Sequence, residues 1–189
     1  MTEYLQNELN QKGYQISRRE WASSIKEKLC YVAEDFEDEM VKAAENAIST
    51  KTFELPDGNQ ITIDTEQFKC TEILFQPYLI EKDVDGIHEL IFESISKCKH
   101  ESFQSDFFGG IVLSGGNTMF NGMGQRIKKE LQNLSNYCKE IQVVEPKIFA
   151  SAWVGGSIFA SLSTFEEICI TSDEYEENGP GVVHKKCVV

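Results

Sequence analysis

The chain has 189 residues, 41% apolar and 26% charged, which allows one large domain or two small ones at about 150 residues each and excludes whole-chain disorder. Its 18 basic and 31 acidic residues leave a net charge of −13, which argues against nucleic acid or anionic lipid as partner and favours basic protein surfaces. The start, MTEYLQNELN, lacks a signal-peptide pattern, and the most apolar stretch, residues 150–162, is too short and too broken by Gly and Ser to span a bilayer. A soluble protein with no membrane partner is expected. Cys30, Cys70, Cys98, Cys138, Cys169 and Cys187 lie far apart, without a CxxC pair or a histidine at metal-ligand spacing, so no zinc or other metal site is readable. They read as buried thiols of a reducing compartment, cytosol or nucleus.

Tyr4, Leu5 and Leu9 recur at helical spacing and run into Gly13, a helix stop. Trp21, Ile25, Leu29 and Val32 predict a second helix, and Phe36, Met40, Ala43, Ala44 and Ala47 a third, with Glu34, Asp35, Glu37, Asp38 and Glu39 as its solvated face. Residues 52–63, TFELPDGNQITI, flank a Pro-Asp-Gly turn with β-branched and aromatic residues and predict a hairpin. Helical turns follow around Phe68 and Leu74. Ile87, Leu90, Ile91, Ile95 and Cys98 then predict a helix ending before Phe103. The mixture of helices and strands gives an α/β or α+β class.

Ile111, Val112 and Leu113 form a wholly apolar run, the pattern of a central buried strand. It stops at Ser114, Gly115, Gly116, Asn117 and Thr118, before a helix through Ile127, Leu131 and Leu134. Glycines let a backbone approach a ligand, and free N–H groups at a helix start favour an anion or a polar ring edge. The loop lacks the Lys of a P-loop and the spacing of a dinucleotide fingerprint, so a plain tight turn competes with ligand binding. A second pair, Gly155 and Gly156, opens a helix with Ile158, Phe159 and Leu162, where small residues suit close packing against a sheet. His88, His100 and His184 lie in no recognisable catalytic arrangement, and no catalytic residue is assigned.

The segments IKEKLCYVAEDFEDEM, FELPDG, EILFQP, GIHELIFESISKC, IVLSGGNTMFNGMGQRIKKEL, SAWVGGSIFASLSTF and EYEENGPGVVHKKC together resemble the carboxyl-terminal half of conventional actin, in the family's order and nearly its spacing, from about residue 4 to 187. The resemblance implies an α/β, ribonuclease H-like ATPase fold of which this chain supplies the carboxyl-terminal lobe. Residues 1–149 would form most of that lobe, with a helical and hairpin insert over about 1–85 and a sheet-bearing core over about 86–149. Residues 150–189 would form the segment that crosses to the other lobe. ATP or ADP with magnesium would bind only in an intact two-lobed fold, because the phosphate loops, the magnesium-organising carboxylate and the water-positioning residues belong to the family's amino-terminal half, which would end just before Met1.

Residue by residue, Lys26 and Glu27 match positions on the adenosine side, and Gly115, Gly116, Asn117, Met119 and Phe120 match the loop along the nucleotide. The family usually has Thr where Asn117 stands and Tyr where Phe120 stands, so a hydroxyl is lost while the apolar wall is kept. A lysine beside the adenine aligns with Phe149. Val154, Ile158, Phe159, Leu162, Thr164 and Ile168 match the family's groove for regulatory proteins, whereas the loop from Tyr78 to Asp85 carries charges where family members have an apolar filament contact.

The resemblance implies a cytoplasmic, cytoskeletal protein whose partners are actin or actin-binding proteins. The alternatives are an ATP-dependent enzyme or regulator that reuses the lobe, and a nonfunctional truncated gene product. The chain alone is expected neither to hydrolyse ATP nor to bind it tightly. It is also expected to be poorly stable or to associate, because residues 153–168 would lack an apolar bed.

Overall fold

The computed structural model describes residues 1–45, 47–98, 101–135 and 140–187, without the side chains of residues 101 and 102. Expectations for His100 and Cys138 fall outside them. The chain divides into two compact units, Met1–Pro146 and Lys147–Val189.

In the first unit, α1 (Thr2–Gln11) buries Leu5 and Leu9 and stops where Gly13 takes φ +94°, a conformation that L side chains rarely adopt. Helix α2 (Arg19–Leu29) packs on α1 and buries Ala22 and Ile25. The predicted continuation to Val32 fails. Cys30 is already extended, the Tyr31 amide donates to the Gln67 carbonyl at 3.0 Å and the Val32 amide to Asn121 at 2.8 Å. These partners from distant segments replace the helical carbonyls that residues 31 and 32 would otherwise have used.

Helix α3 (Phe36–Ala44) starts at Asp35, whose carboxylate accepts from the Asp38 amide. Glu34, Glu37 and Asp38 are exposed as predicted, but Asp35 also pairs with Lys129 at 2.7 Å and Glu39 accepts from the Tyr31 hydroxyl at 2.7 Å. Two of the acidic residues are therefore structural rather than a solvated face. Strands β1 (Lys51–Glu54) and β2 (Gln60–Ile63) pair antiparallel, Thr52 opposite Thr62, around a turn in which Gly58 has φ +86°. The hairpin is the one predicted. Its inner face, Ile61 and Ile63, enters the core while Gln60 and Thr62 face out.

Helix α4 (Glu66–Glu72) is buried along most of its length. Helix α5 (Ile87–Ser96) packs on α7 (Met123–Leu134) and on α6 (Glu101–Phe108), a helix that the sequence reading places in no element. Between α6 and α7 lies β3 (Ile111–Val112), and after α7 lies β4 (Val143–Val144), parallel to it with Ile111 opposite Val143. The buried central strand is not found: β3 pairs with β4 in a two-stranded sheet, and Val112 is 70% exposed. An apolar run covered on one face has its inward residue, here Leu113, in the core and its outward residue in water.

The second unit holds α8 (Ser151–Ala160), α9 (Phe165–Ile168), α10 (Ser172–Asn178) and α11 (Val183–Lys186). Helix α10 starts with a capping box: the Glu174 amide donates to Thr171 Oγ1, and the Thr171 amide to the Glu174 carboxylate. Lys186 donates to the same carboxylate at 2.6 Å. Among the described residues no helix is long and apolar enough to cross a membrane.

Acid should weaken the first unit. Burial by itself would lift the Asp64 carboxyl, but the Thr65 amide and Lys12 hold it at about 2, against 3.8 for the free group. Asp35 is lowered mainly by Lys129, and Glu39 by the Tyr31 hydroxyl. Each folded value lies below the unfolded one, so the stabilisation is present above the unfolded value and disappears as pH falls through the folded value. The urea midpoint is expected to drop between pH 3.8 and about 2, and Asp64→Asn to make that drop smaller. An equal drop in the variant would contradict the assignment.

Candidate functional site

The loop after β3 is built on one special backbone position. Gly115 has φ +98° and nothing within 4 Å of where a Cβ would stand, so the chain bends there beside open space. A single 3-10 turn, Gly116–Met119, follows, and Thr118 donates to the Gly115 carbonyl with its amide at 3.1 Å and its hydroxyl at 2.8 Å. Gly115, Gly116 and Asn117 are exposed, and Met119 is 44% exposed. Phe120, matched to the wall along a nucleotide, instead lies in the hydrophobic core at 8% exposure. The surface available to a planar ligand is the backbone of residues 115–117 with the Met119 side chain.

On α2, Lys26 donates to Thr2 Oγ1 at 3.2 Å, and Glu27 accepts from Ser23 Oγ at 2.8 Å. The link between α2 and the loop runs through the backbone. The Val32 amide bonds Asn121, and Gly122 at φ +87° brings its Cα so close that a Cβ would stand 2.3 Å from the Val32 carbonyl oxygen. Arg126, one turn into α7, then donates to the Ala33 carbonyl at 2.9 Å. The end of α2 and the end of the glycine loop are thus joined.

The expected anion site at the start of α7 is already occupied by the protein. Glu145, just beyond β4, accepts from the Gly124 amide at 3.0 Å, and its carboxylate would lie 2.4 Å from a Cβ on that glycine. A carboxylate at a helix N-terminus satisfies both the free amide and the dipole. A phosphate placed there would meet a negative charge. Among the described residues no group of three or more His, Cys, Asp or Glu side chains is placed to hold a metal ion.

His88 stacks on Phe75, ring centroids 5.8 Å apart, with its Nδ1 buried and without a hydrogen-bond partner among the described residues. His184 is exposed in α11.

In the second unit, the residues predicted to form a groove lie on α8 (Val154, Ile158 and Phe159), in the turn after it (Leu162 and Thr164) and at the end of α9 (Ile168). Ile158 is 61% exposed, Phe159 50%, Leu162 49% and Ile168 41%, with Trp153 at 74% beside them. Thr164 is exposed and Val154 half-buried. Phe159 and Phe165 meet edge to face at 5.6 Å, which joins α8 to α9. Gly155 and Gly156 lie in the middle of α8 rather than opening it, and a Cβ on either would meet nothing within 4 Å. Among the described residues the second unit contains no strand for them to pack against. Two helix-interior glycines, each costing about 1 kcal/mol relative to Ala, therefore leave part of α8 bare.

A family model described as Actin matches residues 2–188. The chain belongs to the actin family. The mixture of helices with small sheets fits the family's α/β class, and the stretch from β3 through α7 is where this actin-family chain bends its backbone around Gly115.

Proposed function

We propose that this actin-family chain is a cytoskeletal binding protein of the cytoplasm that docks basic, amphipathic helices of actin or actin-binding proteins on α8 and α9, and that it is not an enzyme. The observation that carries the reading is the exposure of Trp153, Ile158, Phe159, Leu162 and Ile168 along α8, the turn after it and α9. A helix apolar on all sides is made to be covered. Each large side chain brought out of water contributes roughly 1.5–3 kcal/mol, from which the ordering cost of association is subtracted. Glu166, Glu167, Asp173, Glu176 and Glu177 are exposed beside them, so the rim suits Lys and Arg.

Nucleotide has a secondary place in this reading. Residues 115–117, Met119, Lys26 and Glu27 would give weak contact with an adenosine, while ATP with magnesium requires a two-lobed assembly that brings the family's phosphate-binding half. Glu145 at the start of α7 supports that division. The rival reading, an ATP-dependent enzyme, requires steady phosphate release by the pure chain.

Co-sedimentation with actin filaments tests the proposal. The wild-type chain is expected to pellet with filaments in a saturable way, and Ile158→Asp and Leu162→Asp each to weaken binding at least about tenfold, since a charge carried into an apolar contact costs more than 1.4 kcal/mol. Unchanged pelleting by both variants would remove α8 and α9 from the contact.

A further inference from the structure

Thr164 and Thr171 stand in the same sequence pattern, each with acidic residues two and three positions later: Glu166 and Glu167 in one case, Asp173 and Glu174 in the other. At Thr171 the fold consumes the pattern. The Thr171 hydroxyl accepts from the Glu174 amide, and the Glu174 carboxylate accepts from the Thr171 amide and from Lys186. At Thr164 the same groups stay free of one another. Thr164 precedes α9 with a helical backbone, φ −80° and ψ −5°, and makes no side-chain cap, because a capping hydroxyl reaches its helix from an extended backbone. The Ser163 and Thr164 hydroxyls have no hydrogen-bond partner among the described residues. Ser163, Thr164, Glu166 and Glu167 are all exposed.

We propose that the turn at Ser163 and Thr164 is a phosphorylation site for an acid-directed protein kinase, and that the phosphate closes the α8 and α9 surface to its partner; the second part rests on the docking reading above. A kinase groove lined by Lys and Arg reads carboxylates that follow the acceptor hydroxyl. Glu166 stands three positions after Ser163, and Glu167 three positions after Thr164. The acceptors lie in the turn before α9, whose four residues are far short of the roughly 12–15 that an isolated helix needs, so the segment can enter a kinase cleft extended. In the transfer the hydroxyl oxygen attacks the γ-phosphorus of ATP, the bond from that phosphorus to the bridging oxygen breaks, and ADP leaves with the oxygen. The hydroxyl proton passes to the kinase's catalytic carboxylate. The kinase and magnesium ATP are the co-reactants, and this chain supplies only the hydroxyl. The product adds a charge of about −1.5 to −2 at pH 7, immediately after Leu162 and beside Glu166 and Glu167. A helix covering Leu162 and Ile168 would have to strip water from that charge, and the neighbouring glutamates repel it.

The test incubates the full chain with a purified acid-directed kinase of the casein kinase type, ATP and magnesium, and maps the phosphate by mass spectrometry. The expected result is phosphate on Ser163 or Thr164 and none on Thr171. The wild-type map needs no variant to fold. Glu166→Gln with Glu167→Gln should slow labelling of the turn at least about tenfold, and Ser163→Ala with Thr164→Val should abolish it. The modified and unmodified chains are then compared by co-sedimentation with actin filaments, where the phosphate is expected to weaken binding at least about tenfold. Phosphate mainly on Thr171, an unlabelled turn, or labelling that survives the loss of both glutamates would overturn the site. Equal or stronger pelleting of the modified chain would overturn its role as a closing switch. Failure of the unmodified chain to pellet would instead remove the docking reading and the switch with it, while the phosphate map decides the site on its own.

Discussion

Arg126→Met is expected to destabilise the Met1–Pro146 unit by about 3–5 kcal/mol, a large part of the roughly 5–15 kcal/mol that holds a domain together. Arg126 is 4% exposed and Glu72 is fully buried. The guanidinium grips the Glu72 carboxylate in a fork, Nη1 at 2.9 Å and Nη2 at 2.8 Å, and donates to Glu130 at 2.6 Å. It also lies 4.7 Å from the centre of the Phe75 ring. One side chain so ties α4, α7 and the end of α2 together.

Removing the guanidinium leaves a buried carboxylate without its counter-charge, with the neutral Gln76 amide still donating to it at 2.7 Å. Burial already pushes Glu72 up, and Arg126 is the main group opposing that rise. In the variant the carboxyl therefore rises further, and stability should be greater below that raised value and fall as pH increases through it. The double variant Arg126→Met with Glu72→Leu should regain most of the loss, because a buried ion pair and an apolar pair of similar volume are often close in energy. Urea unfolding of the single and double variants measures both effects. A single variant within about 1 kcal/mol of wild type would contradict the burial of the pair.

Gly122→Ala should cost about 2–5 kcal/mol in the same assay, from the left-handed conformation imposed on an L residue and from overpacking. The added methyl would stand 2.3 Å from the Val32 carbonyl oxygen, an atom of the backbone that cannot rotate away. Relief requires residues 30–33 to move, which strains the bond from the Val32 amide to Asn121. Gly115→Ala makes the control: φ is +98° there but nothing lies within 4 Å of the new Cβ, so only the conformational cost of about 1–2 kcal/mol applies. Equal losses at the two positions would mean that the loop and the end of α2 are not in contact.

Where local pattern decides local structure, the sequence was readable. Gly13 stops α1, the Pro-Asp-Gly turn makes the hairpin, and Ile127 and Leu131 set the buried face of α7. What escaped depends on contacts across long stretches of chain. Val32 leaves the helix for Asn121, and Glu145 closes the start of α7 from 21 positions away. Arg126 stands in GQRIKKEL, within the helix predicted through Ile127, Leu131 and Leu134, where no role is assigned to it from the sequence. Its burial follows from meeting Glu72, 54 positions earlier, and a charged residue gives no local sign of its partner. Helix α6 was missed because Phe103 and Phe107 are about half exposed, so ESFQSDFF lacks a clean apolar stripe. The glycine loop was located correctly, but the inward turn of Phe120 was not foreseen, because a wall facing a ligand and a side chain facing the core have the same apolar character.

The most direct test of the central claim uses Trp153, 74% exposed within the α8 and α9 surface, as its own reporter. The full chain, carrying Trp21→Phe so that the emission comes from Trp153 alone, is titrated with a basic amphipathic helical peptide lacking tryptophan, and separately with ATP and magnesium. The account predicts a saturable blue shift of Trp153 emission with the peptide at micromolar concentration, absent in Leu162→Asp, and no tight binding of the nucleotide. Unshifted emission with the peptide, together with micromolar ATP affinity, would contradict it.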